Sequence, residues 1–158
     1  YTLQDTTENV PADISSTTLK VIAIVVLIVV ILMALSYIYF MGIRGIYYTL
    51  VHISYLMVVT LFIRFTDIVI TIPGFVGILV LYILEYLVLL KTVRNKEREE
   101  EFNPMYNLVE LLSKTYVIVI LSVVLSFSTN ILLSSLGMTL FIGIILLFTH
   151  NFLFNKKH

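Results

Sequence analysis

The chain has 158 residues, of which 59% are hydrophobic and 13% charged, with a mean hydropathy of +1.04. A soluble domain has roughly 45–50% apolar residues, so water does not solvate a surface of this composition. Ten basic residues balance ten acidic ones and cysteine is absent, which excludes a charge-driven nucleic-acid binder, disulfides and thiolate chemistry.

The first twenty residues, YTLQDTTENVPADISSTTLK, are polar and lack the basic start of a signal peptide. They are read as a polar extracytoplasmic segment at the start of a fragment or a processed chain. A membrane helix needs about 20 mostly apolar residues, and five stretches qualify, predicting an all-α bundle of five membrane helices over residues 21–158. Residues 21–40 carry no charge, and 46–63 hold only His52 as a titratable group. Residues 68–90 contain Glu85 and place Pro73 in the first turns, where a missing N–H costs little. Residues 116–133 are uncharged but carry Ser122, Ser126, Ser128, Thr129 and Asn130, and residues 136–154 close the set.

Between the third and fourth stretches, residues 91–115 form the one substantial loop. KTVRNKEREEEF reads as a solvated extension of the third helix, with Lys96 and Glu100 at i, i+4 spacing. Asn103 then caps a short helix with Pro104 at its first position. Its Met105, Leu108, Val109 and Leu112 form an apolar stripe suited to the membrane surface. Cytoplasmic loops retain positive charge. With five crossings, Arg44, Lys91, Arg94, Lys96, Arg98, Lys114, Lys156 and Lys157 share one side, against Lys20 and Arg64 on the other. This places the N-terminus outside and the C-terminus in the cytoplasm of a multi-pass protein of the cell membrane.

The segment TIPGFVGIL at 71–79 resembles the L-T-L-P-G-I-A-G-I-(V/L) run that opens the fourth membrane helix of SecD, a protein-export subunit of the resistance-nodulation-division (RND) superfamily. Three more segments fall in the same order. ILMALSYIYFMGIRGIYYTL (31–50) resembles the second SecD helix and its glycine-led turn. VRNKEREEEF (93–102) resembles the charged end of the fourth helix, and SSLGMTLFIGIILLFTHNFLF (134–154) the last. The resemblance covers nearly the whole chain as the region after a large extracytoplasmic domain. It implies an accessory subunit of the Sec translocase that uses the proton gradient to help export polypeptides. The implied partners are a SecF-like half, the SecYEG translocon, SecA, YidC, the exported polypeptide and membrane lipid, with no nucleic acid and no cofactor. Two departures stand out. The family's intramembrane D-A-N puts its aspartate fourteen residues beyond the proline, where this chain has Leu87; the nearest acid, Glu85, lies about 200° away around a helix. The family's D-x-N-x-T-T segment is not recognisable in LLSKTYVIV, where only Thr115 corresponds. The alternatives are the membrane domain of another RND-type lipid or drug exporter, and a non-transporting scaffold on the translocon.

A carboxylate deep in a span is costly, so such groups are paired, neutral or functional. Glu85, His52 and His150 fall about 6–9 Å from the inner ends of their helices. Glu85 and His52 are read as a protonatable pair that relays a proton or locks two helices, with His150 nearer the helix end. Thr71, Pro73, Gly74 and Gly77 form a packing or hinge motif, and Gly137 and Gly143 are packing points. Arg64 and Asp67 suggest an ion pair at the outer boundary. Ser126, Ser128, Thr129 and Asn130 either line a polar path in the outer half or bond to backbone carbonyls and across helix contacts. Phosphate loops, zinc-ligand spacing and Ser/His/Asp arrangements are not found in the sequence, which points away from an enzyme.

Overall fold

The protein is described by a computed structural model covering residues 16–69, 71–98 and 104–155, with side chains described outside 95–98, 104–108 and 155. Among these residues every regular element is helical: α1 (Ser16–Met41), α2 (Arg44–Phe65), α3 (Ile72–Arg98), α4 (Pro104–Ser126) and α5 (Ile131–Asn155). All five are long and apolar enough to cross a membrane, so the chain is a multi-pass, all-α membrane protein. Lipid is as apolar as a leucine side chain, so hydrophobicity alone does not hold these helices together; close packing and polar contacts between helices do.

The helices are unequal. In the most apolar windows of α1 and α4 only 6% of positions are buried, against 39% in α3 and 44% in α5. α5 is therefore the centre, packed on α2, α3 and α4, while α1 leans on α2. Tyr55, Val59 and Ile63 of α2 meet Ile78, Leu81 and Val88 of α3 and Leu140, Ile144 and Leu147 of α5 in the main core. Tyr37, Val51 and Leu89 form a smaller cluster joining α1, α2 and α3.

Small residues set the close approaches. Gly42, at φ +60°, supplies the left-handed turn from α1 to α2, and a Cβ on Gly45 would collide with the Tyr37 carbonyl. A Cβ on Gly143 would run into the Leu81 side chain, and one on Gly137 into the backbone at Leu125 and Ser126. Gly74 and Gly77 face Ser135, Leu136, Thr139 and Leu140, so the expected packing motif lies at the α3–α5 crossing. Within it Thr71 caps α3: its hydroxyl accepts from the Gly74 N–H at 3.3 Å and its carbonyl from the Phe75 N–H at 3.0 Å. Pro73 then sits in the first turn, where it displaces no helical hydrogen bond. The Ser135 hydroxyl donates to the Val69 carbonyl at 2.7 Å and ties the start of α5 to the approach to α3.

Three expectations are corrected. The predicted surface helix and fourth span form one helix, Pro104–Ser126, and the stripe residues Val109 and Leu112 are exposed while Leu111 enters the core. Residues 116–133 do not form one span, because the chain breaks at 127–130. There the Asn130 side-chain oxygen accepts from the Leu132 N–H at 2.9 Å and caps α5. Arg64 and Asp67 form no ion pair among the described residues; α2 ends at Phe65, and Asp67 turns the chain with φ 50°. The extension of α3 past Leu90 does continue to Arg98, and the Lys96–Glu100 pair lies outside the residues described.

The break between α4 and α5 is open to direct test, since the chain contains no cysteine. Thr129→Cys is expected to react with a membrane-impermeant maleimide from the same face as Thr66→Cys, and Ile43→Cys from the opposite face. A protected Thr129→Cys would restore a span over 116–133.

Candidate functional site

Glu85 is 0% exposed, on the face of α3 that turns toward both α2 and α5. Leu87, two residues on, is 54% exposed on the lipid side, so an acid at 87 would leave this bundle. Position 85 is thus where α3 presents a carboxylate to the other helices of this chain.

Its partners come from α5. Glu85 Oε1 lies 3.1 Å from His150 Nδ1, and Glu85 Oε2 accepts from Asn151 Nδ2 at 2.8 Å. The same Asn151 nitrogen donates to the Leu147 carbonyl at 3.1 Å, and Asn151 Oδ1 is buried with no donor among the described residues. Two acceptors on one amide end fix its orientation, since an oxygen placed there would face both of them. His150 Nε2 reaches across to the Ser54 hydroxyl of α2 at 3.0 Å. Tyr55 closes the group from α2 by donating to the Gly143 carbonyl at 2.8 Å, with its ring 5.5 Å from that of His150. Phe154 covers the imidazole one helical turn further on, at 4.5 Å. His150 and Asn151 are 7% and 2% exposed, so the cluster is enclosed and joins three helices.

The expected Glu85–His52 pair is not formed. His52 points the other way around α2, where its Nε2–H donates to the Tyr82 carbonyl at 2.8 Å and its ring stacks on Tyr82 at 3.8 Å. Its Nδ1 faces the Tyr37 hydroxyl at 3.4 Å, and the Ser36 and Tyr86 hydroxyls bond at 2.6 Å nearby. His52 is thereby the polar pin of α1, α2 and α3, and His150 that of α2, α3 and α5. Depth along the helices does not separate the two histidines; rotation about the helix axes does, and that follows from packing. The run Thr149-His150-Asn151 in the otherwise apolar C-terminal half of α5 was the available signal, because adjacent polar residues at that depth need a partner.

The hydroxyls of α4 take the backbone option. Ser122 donates to the Val119 carbonyl at 2.7 Å and Ser126 to the Ser122 carbonyl at 2.7 Å, leaving no polar path between them. At the other end of the bundle Glu110 of α4 receives Lys91 of α3 and, at 2.9 Å, Lys114. Sequence reasoning missed this clamp because it assigned Glu110 to a separate surface helix.

Removing one member of the buried cluster leaves the others without partners, at about 1–3 kcal/mol per group. A double-mutant cycle of Glu85→Gln and His150→Gln, followed by unfolding in lipid, is expected to give a coupling of about 0.5–3 kcal/mol. The Glu85/His52 cycle should stay within about 0.5 kcal/mol. Equal couplings would restore the pair read from depth.

No protein-family model, curated protein or solved structure matches the chain.

Proposed function

We propose that this chain is the membrane half of a SecD-type accessory subunit of the Sec translocase, in which Glu85 takes up and releases a proton to move α3 against α5. The observation that carries the reading is a fully enclosed carboxylate, held by α5 and linked through His150 to α2, in the helix that opens with TIPGFVGIL. A charged carboxylate inside a span is costly even on insertion scales, so its presence asks for a use. A proton is the smallest cargo that alters its charge, and the α3–α5 contact beside it is built on glycines that bring the two helices into close approach. The TIPGFVGIL resemblance and the one-sided distribution of Lys and Arg support an outside-first orientation, with the α3–α4 link in the cytoplasm. In this reading the half-bundle pairs with a SecF-like half, docks on SecYEG with SecA and YidC, and acts on the exported polypeptide rather than on a small molecule.

The Leu87 departure favours a second reading. An outward leucine where the family places its acid is compatible with a scaffold that holds the translocon without moving protons, the Glu85 cluster then serving as a helix lock.

Export of a secreted protein in cells carrying Glu85→Gln in the full-length gene separates the two, with and without a collapsed proton gradient. The expected result is a fall to the level that wild-type cells show without a gradient. Export equal to wild type removes the proton step and leaves the scaffold.

A further inference from the structure

The hydrogen-bond partners around His150 fix more than a contact. The Ser54 hydroxyl has one hydrogen, and Ser54 Oγ lies 2.7 Å from the Val51 carbonyl oxygen, which can only accept. With that hydrogen on Val51, Ser54 Oγ must accept from His150 Nε2, so Nε2 carries a proton. His150 Nδ1 and Glu85 Oε1 then face each other at 3.1 Å, and two lone pairs do not form a hydrogen bond. A second proton must lie between them, on either atom. Asn151 holds Glu85 Oε2 as an acceptor, so a carboxyl proton belongs on Oε1. In this loaded state the Glu85–His150 pair is neutral as a whole, which suits a site that is 0–7% exposed.

Without that extra proton the same heavy atoms are satisfied in one other way: Nδ1–H donates to the Glu85 carboxylate, and the Ser54 hydroxyl donates to a bare Nε2.

We propose that His150, and not Glu85 alone, carries the exchangeable proton of this chain, releasing it from Nε2 through Ser54 as the imidazole changes tautomer. The step balances with water as acceptor. The Nε2 proton passes to Ser54 Oγ while the hydroxyl's own proton leaves to a water molecule, and the serine is left with its new hydrogen directed at Nε2. The proton between Nδ1 and Oε1 stays, now on Nδ1. One proton departs on the α2 side, the pair becomes singly negative, and the Val51 carbonyl loses its side-chain donor. Asn151 is the positioning residue, since it selects which carboxylate oxygen meets the ring.

Tyr55 of α2 is the titratable group packed directly against the pair, its ring 5.5 Å from that of His150. His52 of α2, Tyr37 of α1 and Tyr82 of α3 form the neighbouring cluster, and Glu110 and Lys114 of α4 are held with Lys91. His52 has no comparable freedom, because its Nε2–H is committed to the Tyr82 carbonyl. It is an internal reference.

The inference rests on the proton-coupled reading of Glu85 but is tested apart from export. The full chain, labelled with ¹⁵N at histidine and placed in lipid nanodiscs, is titrated by NMR. As pH rises His150 is expected to exchange an Nε2–H for a bare Nε2 with Nδ1 protonated, while His52 keeps its Nε2–H. In Glu85→Gln the amide donates to Nδ1, and His150 should hold Nε2–H at every pH. A wild-type His150 with one tautomer throughout overturns the proposal, as does a switch that persists in Glu85→Gln. Should that variant not fold, the wild-type titration against His52 still decides. A switch found alongside export-silent Glu85→Gln would sink the translocase reading and leave the proton site standing.

Discussion

The contact on which this structure depends is the meeting of the Glu85 carboxylate with His150 and Asn151. A carboxylate in the middle of an apolar helix is tolerated only where another chain segment brings donors to it, because lipid has none to give. α3 and α5 are therefore bound to one rotational setting: turning either helix would direct Glu85 to hydrocarbon and strand an imidazole and an amide. Ser54 extends the same constraint to α2. Around this point the apolar contacts of Leu81, Ile144 and Leu147 find their places, with Gly143 leaving room for Leu81.

Interhelical hydrogen bonds in membranes contribute about 0.6–2 kcal/mol each, since helices apart in lipid also find partners. The polar cluster is thus better understood as selecting one packing than as the bulk of the stability. Dispersion across the glycine-lined α3–α5 crossing supplies the rest, where backbones come close and side chains interlock. α1 and α4 follow a different rule. Few of their residues are fully buried, and they are joined to α2 and to α5 by short turns at Gly42 and Asn130. Both present large apolar surfaces that suit lipid.

Two histidines at like depth have unlike chemistry in this arrangement. His52 lies between tyrosines and gives its one N–H to a backbone carbonyl, a setting that fixes its tautomer. His150 lies between a carboxylate and a hydroxyl, both of which can change the direction of their hydrogens. A group that holds a helix and a group that passes a proton differ less in identity than in whether their neighbours can exchange donor for acceptor.

The sequence by itself determined the number of membrane helices, the membrane setting, the early proline and packing glycines of the 71–77 segment, and Glu85 as the acid that needs a partner. Each of these follows from local hydropathy or from a residue's own chemistry. Three features were decided only by tertiary structure. His150 rather than His52 meets Glu85, because partner choice turns on how α2 and α5 are rotated, which one-dimensional depth does not encode. The end of α4 at Ser126 rests on Asn130 capping a new helix, in a stretch that is polar at Ser126, Ser128, Thr129 and Asn130 but uncharged, and so still passes as part of a span. Glu110 meets Lys91 only because the surface stripe and the fourth span are one continuous helix beside α3. Hydropathy measures what a segment prefers as solvent, and it is silent on which side of a helix its neighbours will occupy.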